Sequence, residues 1–199
     1  NDLIYRYDAE TQFWAGNEFL FFENKDIRAA NNNIAGVDTN GGIYNSHLYT
    51  SQARANVPYT YFPDINGNFI IKNIGAQRDE IEADYAWVFF TLSAPNYFGK
   101  KSIYVNGLFN NFAINDENKM DYNAEKGIYE KAIMIKQGFT NFQYVISDSK
   151  RNIDEENAID GNFQQTENNY IALVYYKENN QRYDRIIGRG IASSVDMTY

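Results

Sequence analysis

The chain has no cysteine, which excludes disulfides, thiolate nucleophiles and Cys-ligated metal centres together. Histidine is nearly absent as well: His47 is the only one, so neither a transition-metal shell nor a Ser-His-Asp triad has more than one residue to build on, and no G-x-S-x-G elbow accompanies it. Long apolar runs are missing. Stretches such as Ala86-Trp87-Val88-Phe89-Phe90 fall far short of the roughly 18 residues that a helical membrane span needs. Basic charge is in deficit: 18 Lys and Arg stand against 26 Asp and Glu, for a net charge of −8 and a pI near 4.7. Nucleic-acid affinity rests on cations that neutralise phosphates, so nucleic acid is not the expected partner. Residues 1–80 hold 6 basic and 10 acidic residues and residues 81–199 hold 12 and 16, so each part nets −4 and averaging hides no basic face. The opening Asn1-Asp2-Leu3-Ile4-Tyr5-Arg6-Tyr7 lacks a signal peptide's basic and apolar regions, so a mature chain or a fragment is expected. None of the 27 Asn begins a glycosylation sequon.

Aromatic residues are plentiful, at 17% of the 199 residues, with 17 Tyr and 14 Phe. Pleated surfaces pack such side chains well, so an all-β fold is expected. Glycine and asparagine interrupt the chain at the spacing of a sandwich or barrel. Asn40-Gly41, Asn66-Gly67, Asn106-Gly107 and Asp160-Gly161 tolerate the positive φ of tight turns and mark chain reversals.

Residues 1–80 read as a small β domain with strands near 3–8, 17–28, 42–50, 56–62 and 67–74, with Asn33 to Gly42 as a loop. So few strands suggest that upstream chain completes this domain. The acidic run Gln77 to Asp84 reads as a domain border. Residues 81–199 then form a second domain, with strands near 84–93, 101–106, 118–123, 127–136, 139–147, 169–177 and 182–192. Seven strands fit an immunoglobulin-like sandwich. Tyr85, Trp87, Phe89 and Thr91 alternate with Ala86, Val88, Phe90 and Leu92, the pattern of a half-buried strand. Arg151 to Gln165 reads as a long loop.

No pattern selects two carboxylates for acid–base work, His47 reads as a structural or surface histidine, and catalytic, cofactor and metal residues are all expected to be absent. Asp38-Thr39-Asn40-Gly41 and Asp64-Ile65-Asn66-Gly67 look like the opening of a calcium loop, but glycine comes fourth rather than sixth, as in a hairpin turn. The aromatic groups Tyr59-Thr60-Tyr61-Phe62 and Tyr175-Tyr176 are candidates for contact with a partner or glycan, because aromatics supply rigid contact area. Adjacent strand residues face opposite ways, so at least one of Tyr175 and Tyr176 is expected to face away from the core.

Two resemblances follow. Tyr104-Val105-Asn106-Gly107-Leu108-Phe109-Asn110-Asn111-Phe112, with Gly127-Ile128-Tyr129-Glu130 and Phe142-Gln143-Tyr144-Val145, resembles the early-set immunoglobulin-like modules of glycogen-binding type. The resemblance implies a carbohydrate-binding role, with Phe112 at the position where those modules commonly carry a glucan-stacking Trp. A wider resemblance is carried by Gly16-Asn17-Glu18-Phe19, Pro58-Tyr59-Thr60-Tyr61, Asp64 to Phe69, Glu82-Ala83-Asp84-Tyr85, Val88 to Leu92 and Thr166-Glu167-Asn168-Asn169-Tyr170. These are similar to the type IX secretion system plug proteins of Bacteroidota, first described as a family of unknown function. That resemblance implies an exported, periplasmic, non-enzymatic protein with a further N-terminal region. It would bind and block the periplasmic opening of an outer-membrane translocon barrel without spanning the membrane.

Overall fold

The computed structural model describes residues 11–95 and 98–196. It is all-β apart from single helical turns, and the strand expected at 3–8 lies outside the described residues. In chain order the strands are β1 (Leu20–Glu23), β2 (Ile34–Asn40), β3 (Ile43–Leu48), β4 (Ser51–Gln52), β5 (Phe69–Ile71), β6 (Tyr85–Ser93), β7 (Ser102–Asn106), β8 (Asp121–Asn123), β9 (Ile128–Lys136), β10 (Gly138–Ser147), β11 (Asn169–Tyr176) and β12 (Arg185–Ser193), with one α-helical turn, α1 (Asp79–Glu82).

Strand β10 is the spine of the first sheet. Its first half pairs with β1 on one side and β5 on the other, and its second half pairs with β7, all antiparallel. The second sheet runs β2-β3-β6-β9-β8, with β4 also beside β6. There β3 and β4 lie parallel to β6, while the other pairs are antiparallel. Among the described residues, strands β11 and β12 pair only with each other, as a separate ribbon.

The two large sheets share one core. Strand β6 buries Ala86, Val88, Phe90 and Leu92 and turns Tyr85 and Trp87 outward, the alternation expected from its sequence. Phe90 meets Phe142 of β10 with ring centroids 5.1 Å apart and Phe22 of β1 at 5.9 Å, both edge-to-face, the arrangement the ring quadrupoles favour. Ile34, Leu48, Val105, Tyr144 and Ile146 belong to the same cluster. Strand β10 carries buried residues on both faces, and on one of them its Val145 clusters with Tyr104 of β7 and Ile114.

The chain changes sheets between β9 and β10 with only Gln137 between them. Gly138 makes this corner possible. Its φ is +153°, and a Cβ there would lie 2.0 Å from the Ile70 carbonyl oxygen. Asn24 locks the corner: its N–H donates to the Gly138 carbonyl at 2.8 Å, and its Oδ1 accepts the Gly138 N–H at 2.8 Å.

The division expected at residue 80 has no counterpart in these sheets. Strands β1 and β5 pair with β10, and β3 pairs with β6, so residues before and after the border fill the same core. Strands β1 to β5 thus find their partners within the described chain. Residues 81–199 supply β6 to β12, but not as a closed seven-stranded sandwich: β11 and β12 leave as the ribbon, and the other five share sheets with earlier strands. The acidic run read as a linker is α1. Asp79 pins it, accepting from the Asn73 N–H at 3.0 Å and from Lys72 at 2.8 Å.

The turns follow sequence more closely. Asn40 pairs with Ile43 around Gly41 and Gly42, whose φ values are +61° and +85°; two positive-φ residues are the geometry that matches strand twist in a two-residue hairpin. Ile34 to Asn40, read as part of a loop, is β2, since this hairpin lends it a partner despite its weak strand composition. Residues 56–62 form no strand. Residues 151–165 form an irregular loop with one isolated bridge, Ile153 to Ser147.

Candidate docking ribbon and the residues that hold it

The ribbon is the chain's most exposed apolar element. Ile171, Leu173, Val174, Tyr175 and Tyr176 of β11 and Ile186, Ile187 and Ile191 of β12 are all exposed. The register sets Ile171 opposite Ile191 and Val174 opposite Gly188, with a bulge between Val174 and Tyr175. Ile171, Leu173 and Tyr175 therefore alternate with Tyr170, Ala172 and Val174 along the strand, so both faces of the ribbon are apolar. A strand rich in apolar residues on both faces is normally covered on both, and a lone two-stranded hairpin is marginal in water. Tyr175 is 59% and Tyr176 44% exposed. The Arg185 guanidinium lies over the Tyr176 ring, 5.5 Å from its centroid.

The ribbon's root is fixed by a polar knot. Glu18 is 4% exposed, and its Oε1 accepts the Tyr59 hydroxyl at 2.5 Å and the Glu167 N–H at 3.1 Å. The Gly16 carbonyl accepts the Thr166 hydroxyl at 3.0 Å and the Phe163 N–H at 2.9 Å. Asn168 donates from Nδ2 to the Ala15 carbonyl at 2.8 Å, and its N–H meets the Ser194 hydroxyl at 2.8 Å. Burial, and next the hydrogen bond to the Glu18 carboxylate, push the Tyr59 phenol well above its ordinary value.

A second set of bonds seats the loop before β5. Asp64 accepts the Phe19 N–H at 2.7 Å on one oxygen and the Asn66 N–H at 2.6 Å on the other. Both of its oxygens thus accept backbone N–H groups, and the bond from the Asn66 N–H two residues on closes a turn of the kind Asp favours. Buried Asn141 accepts from the N–H groups of Ile65 and Gly67 at 2.8 and 3.2 Å. Asp160 joins its Oδ1 to Arg54 Nε at 2.9 Å and takes the Tyr144 N–H at 3.1 Å.

The five aromatics singled out from the sequence do not form one patch. Tyr59 belongs to the knot and packs on Phe163, with centroids 5.7 Å apart. Tyr61, two residues on in the same loop, is exposed. Phe112, 40% exposed, has a φ of +53° and sets its ring against Phe19 at 6.4 Å. Only Tyr175 and Tyr176 share an element, and the surrounding isoleucines were not singled out. The signal was present: apolar runs occur in both strands on either side of a turn-rich segment, but the same pattern fits buried strands. Among the described residues no three His, Asp or Glu side chains converge as a metal shell. His47 stands on β3 with Nε2 2.7 Å from Asp38 and its ring stacked on Phe89 at 4.5 Å. Hydrogen bonds from Asn45 and then His47 hold the Asp38 carboxyl below its usual range. No helix among the described residues is long and apolar enough to cross a membrane.

Comparison with family profiles gives no match, and comparison with curated proteins gives none. Among solved structures the chain is similar to a hypothetical protein from Parabacteroides merdae ATCC 43184, solved at 2.30 Å, with 34% identity and a TM-score of 0.83. The likeness covers 91% of this chain and 45% of that one, so the chain spans less than half of that protein's length.

Proposed function

We propose that the chain is a non-enzymatic docking module that binds a protein partner through the β11–β12 ribbon. The observation that carries this reading is the ribbon itself, apolar on both faces and exposed. Contiguous exposed apolar surface on a soluble fold marks an interaction site, and aromatic anchors held on rigid strands concentrate interface energy. The sequence resemblance supplies the partner: the periplasmic opening of a type IX translocon barrel in the outer membrane, which an exported plug protein would block. Two stretches that carry the resemblance, Gly16 to Phe19 and Thr166 to Tyr170, meet in the knot at the ribbon's root. In this reading they serve to present the ribbon. The two large sheets are read as a variant of the early-set immunoglobulin-like sandwich, completed by β1 to β5.

Co-purification from native envelope tests the reading. The tagged full-length protein is expected to recover the translocon barrel, and the double variant Ile171→Lys, Ile191→Glu to lose it, since opposite charges keep the cross-strand pair while removing the apolar contact. Equal recovery by both proteins would contradict the ribbon assignment. Ribbon amides already protected in the isolated full-length protein would contradict it too, because the polypeptide itself would then cover the ribbon.

A further inference from the structure

A groove beside the ribbon's root is built unlike the rest of this acidic surface. It encloses about 340 Å³ and is lined by Phe13, Trp14, Asn162, Gln164, Tyr170 and Ser194, together with Ala15. None of its lining residues among those described is charged, in a chain of net charge −8. A second depression, lined by Gln164, Gln165, Ser194 and Val195, continues it through shared Gln164 and Ser194. The volume lies at the small end of the range of about 300–1,000 Å³ in which small-molecule sites fall.

The aromatic side is held in place. Trp14 is 54% exposed, yet the chain on its C-terminal side is tied down: Ala15 accepts from Asn168, and Gly16, in the left-handed region at φ +67°, donates its N–H to Asn162 Oδ1 at 2.9 Å. Phe13 packs against Tyr170 with centroids 5.7 Å apart. The indole is thus an exposed apolar surface on an anchored loop. Gln164 lines the same groove and Gln165 the adjoining depression; both are exposed, and each amide has a carbonyl acceptor and two N–H donors.

We infer that this groove binds a neutral carbohydrate. A sugar ring offers an apolar C–H face and a rim of hydroxyls that both donate and accept. An exposed indole matches the face, and side-chain amides match the rim. A phosphate, nucleotide or acidic sugar would need cations, and the described lining residues supply none. The site does not include Phe112, the residue a glycogen-binding module would use, and it does not depend on the ribbon docking to a partner.

The test is titration of the full chain with neutral oligosaccharides of the α-glucan, β-glucan, xylan and chitin types, followed by calorimetry and by Trp fluorescence. Of the chain's 2 Trp, Trp87 is replaced in Trp87→Phe, so that the remaining signal reports Trp14. Binding is expected at millimolar or better concentration for at least one type, weakened about tenfold or more by Trp14→Ala and several-fold by Gln164→Ala, and unchanged by Phe112→Ala. Trp14 is exposed, so an unchanged melting temperature separates loss of binding from loss of fold. No binding by any of the four types up to about 10 mM would overturn the inference, as would binding that Trp14→Ala leaves intact. Trp14-dependent binding of a proline-rich peptide, with no glycan bound, would also overturn it.

Discussion

Tyr59 reaches across 41 positions of sequence to donate its hydroxyl to Glu18, at 2.5 Å, and the same carboxylate oxygen takes the Glu167 N–H at 3.1 Å. One buried acceptor thus ties an N-terminal segment, a loop and the base of the ribbon. Tyr59→Phe removes a donor from a buried charged group, so a loss of about 1–3 kcal/mol is expected in urea denaturation. Amides of residues 166–170 should exchange faster in this variant, while those of β6 and β9 keep their relative protection. A variant as stable as the parent would mean that the bond contributes nothing.

The pH dependence of stability has a sign on each side. Tyr59 and Tyr144 are raised above the ordinary tyrosine range, each chiefly by burial. Their contribution is complete below about pH 10 and is lost as pH rises beyond it, because the unfolded chain ionises first. Asp154 is lowered chiefly by its hydrogen bond from Lys101, and Asp148 chiefly by the Asn152 backbone. Their contribution is present above about pH 4 and is lost as pH falls through the lowered values. Denaturation midpoints measured from pH 2 to 11 should form a plateau with a fall at each end. Asp154→Asn should make the acid limb shallower; an unchanged limb would refute the assignment.

Two glycines should respond very differently to alanine. A methyl group at Gly138 would collide with the Ile70 carbonyl at 2.0 Å in a backbone region closed to side chains, so Gly138→Ala should cost about 3 kcal/mol or more. At Gly188 the nearest atoms stand 3.5 Å away, on Val174. Gly188→Ala should stay within about 0.5 kcal/mol of the parent. Comparable losses at the two sites would contradict the corner geometry.

Core and ribbon should likewise separate. Phe90 is fully buried between Phe22 and Phe142, and Phe90→Ala should cost about 3–5 kcal/mol. Ile171→Lys with Ile191→Glu changes two exposed residues and should move the midpoint by less than about 1 kcal/mol. It should also reduce binding of an apolar dye. Unchanged dye binding would place the accessible apolar surface elsewhere.

Much of this fold was legible because alternation reports burial directly. In β6 one of the two alternating sets, Ala86, Val88, Phe90 and Leu92, is buried, as a half-buried strand requires, and the chain reverses at Gly41-Gly42, where the Asn40-Gly41 dipeptide indicated a turn. What periodicity could not give was pairing. The sheet partners of β1 and β5, and one of the two partners of β3, come from beyond residue 80, and no local pattern records that β10 will accept β1 and β5. The acidic run Gln77 to Asp84 has a linker's composition, yet Asp79 finds donors in Lys72 and Asn73 and folds it onto the sheet. The knot was equally hidden: Glu18, Tyr59 and Glu167 are unremarkable alone and become a site only when the chain brings them together. The ribbon's isoleucines were visible as strand residues, but apolar strands are read as core, and nothing in the sequence marks these two as exposed.

Hydrogen–deuterium exchange of residues 169–193, in the full-length protein alone and then with the purified outer-membrane translocon barrel, tests the docking role most directly. The account predicts fast exchange along the β11–β12 edges in the free protein and at least tenfold slowing on complex formation, with β6 and β9 unchanged. Slowing confined to another surface, or a ribbon that exchanges identically with and without the barrel, would contradict it.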